Sequence, residues 1–202
     1  MGNMNKKVWI TSILAIAFFA VVMSSYRSES VSDIMRTENS VTDLILNSFS
    51  PRNFSSAPVS MGDLEVILQC GIKAPSASNR QPWKFIVVRD FAVMQQMVAN
   101  VLEGNVLITV CGPEVQGNST ADFDCGLATE NMTIAAQSLG LGARIYGGPI
   151  ANINATMKQT LQIPDGYRAV AVLRVGYIEN VNDAISAATP RNSYEEVVTF
   201  LK

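Results

Sequence analysis

The 202-residue sequence contains no histidine, and this removes every mechanism that uses an imidazole as a base or as a metal ligand. A hydrolase built on this chain needs a Ser-Lys or carboxylate arrangement, and a zinc site needs thiolates. Thiolates are scarce too. Cys70, Cys111 and Cys125 stand far apart with no C-x-x-C spacing, which excludes a zinc ribbon and a dithiol redox pair. Their odd number leaves at least one thiol unpaired within the chain. They read as small buried hydrophobes, with the alternative for Cys125, at the start of a predicted helix, of a thiol with a lowered pKa. A charge excess is also lacking: 15 basic against 17 acidic side chains give a net charge of -2, no broad field for a polyanion, and no case for nucleic-acid binding. Internal repeats and low-complexity tracts are absent from the sequence.

What is present begins with an apolar run. Lys6 and Lys7 precede an uncharged stretch over residues 8–25 whose core includes Ile13, Leu14, Phe18 and Phe19. A basic flank followed by such a run has the form of a signal peptide. A membrane span takes about 20 apolar residues, so this run reads first as a cleaved signal peptide, with Ser24 and Ser25 offering a cleavage point, and second as a membrane anchor. Either reading puts the protein outside the cytoplasm, periplasmic, secreted or membrane-anchored. Residues 26–39 are polar and read as a linker, leaving 40–202 as one domain.

Within that domain, apolar spacing predicts a short helix over 40–49. A second helix opens at Ser60, capped with Asp63, and carries Leu64, Ile67, Leu68 and Ile72 at helical period. Residues 84–88 and 106–111 read as buried strands, with a helix capped by Asp90 between them. A long helix over 123–139 is rich in small residues and ends at Gly140 and Gly142. A further helix is expected around 151–161 and a third buried strand over 169–175. The strands are nearly continuous apolar runs, as expected when helices cover both faces of a sheet.

Several segments could meet a ligand. Arg52 and Arg191 are either solvated charges or anion contacts. Ser76 and Asn79 are turn formers by type, and Gly147 with Gly148 makes a tight turn or a place where backbone approaches a ligand. Their context narrows the choice. The run A-P-S-A-S-N-R-Q-P-W over residues 74–83, followed by a strand, resembles the signature of the FMN-dependent nitroreductase family. So do S-P-R-N-F over 50–54, D-C-G at 124–126 with Asn131 and Met132, S-L-G-L-G over 138–142, G-G-P over 147–149, and V-G-Y over 175–177 with Arg191 near the end. The resemblance runs from about residue 37 to 202 in the family's order.

It implies an α/β (α+β) three-layer sandwich, with a central mixed sheet flanked by helices, built as an intertwined homodimer. It also implies FMN as cofactor. Ser50, Arg52 and Arg191, with Ser48 beside them, would hold the phosphate; Ser76, Asn79 and Gln81 would meet the ribityl chain or ring from the other subunit; and Gly147 and Gly148 would bring backbone to the reactive nitrogen N5. The chain departs from the family where two arginines are usual, at Ser48 and Phe49, and where a lysine is usual, at Thr189. The expected activity is NAD(P)H oxidation through FMN, with no side chain as nucleophile, passing hydride to a nitroaromatic, quinone or similar acceptor. The alternative is a non-catalytic binding module of the same fold whose phosphate grip is weakened. Short connections around 90–106 and 111–123 predict an open site.

Overall fold

The computed structural model describes residues 40–114, 120–179 and 190–201. The expected signal or anchor segment, the linker and Thr189 lie outside the described residues. The chain divides by compactness into Met1–Asp43, of which only residues 40–43 are described, and Leu44–Lys202. Among the described residues no helix is long and apolar enough to cross a membrane.

Helix α1 spans Ser40–Leu46 and α2 Met61–Ile72. The Ser60 hydroxyl accepts the Asp63 N–H at 3.0 Å, so the capping pair expected from sequence forms. Strand β1 (Lys84–Val88) leads to α3 (Phe91–Met97), where Asp90 accepts the Val93 N–H at 3.0 Å, and then to β2 (Val106–Pro113). The long helix α4 spans Ala121–Ser138 and is closed by Gly140 in the left-handed region at φ 77°. Strand β3 (Gly142–Tyr146) follows, then a single turn α5 (Ile150–Asn152) that widens into a π turn, Ile153–Met157. Strand β4 (Tyr167–Gly176) and α6 (Tyr194–Val197), the latter with a Ser193–Glu196 capping box, complete the order.

The sheet runs β1-β2-β4-β3 with every pairing antiparallel, where a mixed sheet was expected. Apolar continuity reports burial on both faces rather than strand direction, and both faces are indeed covered. Along β2, Val106, Ile108 and Val110 pack with α2 and α4, including Leu64, Ile67, Cys125, Ala128 and Met132. Leu107 and Cys111 point the other way into a second core with Met94, Met97, Ile153 and Met157. The three layers follow from this alternation. Trp83 is buried in the first core, its ring parallel to Phe85 at 6.4 Å. The helix expected over 151–161 is shorter, ending at Met157, and within it Asn154 turns its amide onto β4, accepting the Ala169 N–H at 2.8 Å and donating to the Ala169 carbonyl at 3.0 Å.

All three thiols are free. Burial pushes Cys111 up to about 11 and Cys125 up to about 12, with Asp122 adding to the latter, so the lowered-pKa alternative for Cys125 is overturned. Above the ordinary thiol value of 9.0 the unfolded chain loses these protons while the folded chain keeps them, so stability falls as pH rises from 9.0 through about 11 and 12. Each thiol then costs up to about 1.4 kcal/mol per pH unit. Urea midpoints at about pH 8 and about pH 10 should differ more for the natural chain than for a Cys111→Ala/Cys125→Ala variant; equal differences would refute the assignment.

Candidate flavin-binding site

A first group of candidate residues, Ser48, Ser50 and Arg52 with Gly147 and Gly148 further along, gathers at the β3 edge of the sheet. Residues 48–55 lie across the start of β3, so closely that a Cβ on Gly142 would stand 2.9 Å from Pro51 Cγ and 2.8 Å from Ile178 Cγ1. Phe54 bridges Ile178 in antiparallel fashion, and the Ser55 N–H donates to the Tyr177 carbonyl at 2.8 Å. Ser48 lines a cavity of about 200 Å³ with Phe49, Pro51, Gln137, Leu141 and Ile178. Ser50 and Arg52 are exposed, and so is Arg191. Neither guanidinium has a hydrogen bond or ion pair among the described residues, so no carboxylate among those residues competes for them.

Sequence reasoning missed the side chains that hold this segment. Arg174 on β4 is 1% exposed and lies 4.1 Å above the Phe54 ring. Its Nε and Nη2 donate to Asn105 Oδ1 at 2.9 and 2.6 Å, and its Nη1 donates to Asn100 Oδ1 at 3.3 Å. Burial pushes its pKa down from the ordinary arginine value. Asn105 in turn donates to the Ser55 carbonyl at 2.8 Å, while Arg144, the cross-strand neighbour of Arg174, donates to the Pro51 carbonyl at 3.3 Å. One signal was readable: Arg174 is the lone charge inside the apolar run 169–175.

At the far end of β3, Gly147 and Gly148 are exposed, and a Cβ built on either meets nothing within 4 Å. Ile145 just before them is 45% exposed on the edge strand. The exposed Ile145 and two exposed glycines therefore lead away from the 48–55 segment along the edge strand.

The second group lies elsewhere. The 76–81 loop leads into β1, the opposite edge of the sheet, about 14 Å from β3 at three strand spacings. It is wound tightly, with Ser78, Asn79 and Gln81 all at positive φ (53°, 54° and 47°) without a glycine among them. Such backbone persists only where its surroundings over-determine it, and it clusters at ligand clamps. Here the Gln81 N–H donates to Ser76 Oγ at 3.0 Å, and Gln81 Nε2 donates to Asn79 Oδ1 at 3.2 Å. The loop is also bound to the first turn of α4: the Ala77 N–H donates to Asp124 Oδ1 at 3.1 Å, and Arg80 Nη2 donates to Thr120 Oγ1. Gln137, which donates to the Phe49 carbonyl at 3.3 Å, sits at the other end of the same helix, about 20 Å from Asp124 at 1.5 Å per residue. The two candidate groups thus occupy opposite sheet edges and opposite ends of α4.

Comparison with known proteins fits this geometry to a family. The description "Nitroreductase family" matches residues 45–112 and 102–177. The chain belongs to the nitroreductase family. It is 34% identical over 148 residues to an Archaeoglobus fulgidus protein named as an NADH dehydrogenase/NAD(P)H nitroreductase, covering 68% of this chain and 85% of that one. It is 25% identical over 185 residues to the NADPH-flavin oxidoreductase of Vibrio harveyi, covering 79% of this chain and 76% of the relative. Among solved structures, a Desulfovibrio desulfuricans protein described as a nitroreductase in complex with FMN superimposes with a TM-score of 0.69 at 28% identity, over 82% of this nitroreductase-family chain and 98% of the other. The α+β architecture expected from the resemblance is the architecture found.

Proposed function

We propose that this nitroreductase-family chain is an FMN-dependent oxidoreductase that takes hydride from NAD(P)H and delivers it to a nitroaromatic, quinone or similar small acceptor. The observation that carries the reading is the match over most of the chain to an FMN-bound member of the family, combined with a donor set of the right chemistry. A phosphate dianion needs charge-assisted donors, and Arg52 and Arg191 are exposed and uncommitted. An isoalloxazine ring needs a flat apolar surface with amides at its edge, and Ile145 followed by Gly147 and Gly148 offers both. The residues present therefore fit the group.

When bound, FMN supplies the hydride acceptor and donor, so no side chain has to act as a nucleophile. Ser50, Arg52 and Arg191 anchor the phosphate and neutralise its charge. The amides at Gly147 and Gly148 give the ring edge backbone donors in place of water. Ser76, Asn79 and Gln81 orient the ribityl chain or ring. These last residues lie at the opposite sheet edge from Gly148, and that separation supports a site assembled from two copies, each contributing its 76–81 loop to the partner's flavin. Exposed apolar side chains on the α2 and α4 side, Val66 at 47%, Ile72 at 47% and Phe123 at 68%, suit a face covered by a second copy. The basic and apolar N-terminal pattern supports a location outside the cytoplasm, with attachment through residues 8–25 if that segment is retained.

The test is optical. Purified protein mixed with FMN should show a bound-flavin spectrum that bleaches when NAD(P)H is added without oxygen and recovers on addition of a quinone. Failure to take up FMN would end the reading. Uptake without bleaching would leave the flavin site and replace the electron donor.

A further inference from the structure

We propose that Asp124 is a positioning residue for the flavin: its carboxylate clamps the 76–81 loop in the left-handed form that the cofactor meets. This rests on the assignment of that loop to FMN. Three observations converge on it. The loop holds three non-glycine residues at positive φ within four positions, a conformation that its own side-chain bonds, all among exposed or half-exposed groups, are poorly placed to sustain in water. The bond that enters it from the rigid core is the Ala77 N–H to Asp124 Oδ1, 3.1 Å long, across 47 residues of sequence. Asp124 itself is 1% exposed, fixed in the first turn of an 18-residue helix whose N-terminal amides favour a carboxylate.

The remaining oxygen sharpens the point. Asp124 Oδ2 is buried and has no hydrogen-bond partner. An unsatisfied buried oxygen is costly, and a residue chosen for packing alone would avoid it. What the carboxylate gains is the bond from the Ala77 N–H, made by an acceptor that the helix holds in place. Thr120, one turn earlier, accepts from Arg80 and ties the far end of the same loop, so the start of α4 grips the loop on either side of Ser78 and Asn79. Ser76, Ala77, Thr120 and Asp124 line one shallow hollow of about 270 Å³ with Phe123 at its rim, so clamp and loop form one surface. Asp124 thereby links the stability of the core to the shape of a loop that would otherwise relax, and it does so without touching the cofactor.

The experiment compares Asp124→Ala and Asp124→Asn with the natural chain in two measurements. In the absence of FMN, amide hydrogen exchange at residues 77–81 should be roughly tenfold faster or more in Asp124→Ala, with residues 127–136 of α4 unchanged. FMN affinity should fall by roughly tenfold or more in the same variant, while NAD(P)H oxidation at saturating FMN returns to within about threefold of the natural rate. Asp124→Asn keeps an acceptor for Ala77 and should restore both quantities to within about threefold. Unchanged exchange in Asp124→Ala, unchanged affinity despite faster exchange, or an asparagine variant as poor as alanine would each overturn the proposal. If Asp124→Ala fails to fold, Thr120→Val at the exposed start of the helix provides the comparison, with faster exchange at Arg80 and Gln81 expected and no change refuting the clamp. A natural chain that binds no FMN would sink the functional reading instead, and the exchange measurement separates that case because it involves no flavin.

Discussion

Arg52→Ala should weaken FMN binding by roughly tenfold to a hundredfold, since a hydrogen bond to a charged group contributes about 1.5–3 kcal/mol and each 1.4 kcal/mol is a factor of ten. Arg191→Ala should act in the same direction. The two guanidiniums would share one dianion, so their losses will not simply add. Because both side chains are exposed and make no hydrogen bond or ion pair among the described residues, neither substitution should move the melting temperature of the flavin-free protein by more than a degree or two. The split between intact stability and lost affinity is what identifies a ligand contact. Flavin fluorescence titration against thermal unfolding reads both, and equal affinities in the natural and Arg52→Ala proteins would remove Arg52 from the site. Ser48→Arg runs the other way. It places an arginine where the family usually has one, and a several-fold gain in affinity is expected.

Arg174→Ala should destabilise the protein by about 3 kcal/mol or more, lowering Tm by roughly 6–12 °C in a domain of this size. The side chain is 1% exposed, makes three donations to two asparagine oxygens and covers the Phe54 ring at 4.1 Å. Removing it opens a cavity, deprives Asn105 Oδ1 of its two strongest donors and frees the Phe54 ring together. Among the described residues no carboxylate pairs with it, so no buried acid is left behind, and Arg174→Met, which refills the volume, should recover part of the loss. Arg174→Lys should not, because a point charge reproduces neither the fork nor the stacking. The loss should also reach the flavin, since the same network fixes residues 51–55 against β4. Differential scanning calorimetry of the three variants orders them, and an alanine variant as stable as the natural chain would refute the account.

Much of the architecture was readable because its signals are local. Ser60 with Asp63, and Asp90 with Val93, announce helix starts within four residues, and β1 lies where a lysine followed by four apolar residues ends at Arg89 and Asp90. Strand β3 escaped notice. It is five residues long, opens on a glycine two residues past the one that closes the preceding helix, and carries an arginine whose partner is a carbonyl 93 residues away. The apolar runs report burial on both faces and leave strand direction open, because a doubly covered antiparallel strand and a parallel one bury the same faces.

The candidate site divides along the same line. Ser50, Arg52, Ser76, Asn79, Gly147, Gly148 and Arg191 were legible as short motifs. The groups that hold them in place, Arg144, Arg174, Asn105 and Asp124, act across 47 to 93 residues of sequence, where no spacing rule reaches. Motifs advertise contact atoms, whereas the scaffolding behind those atoms is specified by tertiary packing.

The sealing of Cys111 and Cys125 in opposite cores has a consequence for how the chain comes to its native state. With no cross-link to form and neither of these two sulfurs reachable once the cores close, folding requires no oxidative catalyst and should yield the same product in glutathione buffers of either poise. Endurance against reductants, proteases and heat then depends on how tightly the two apolar layers grip the sheet between them.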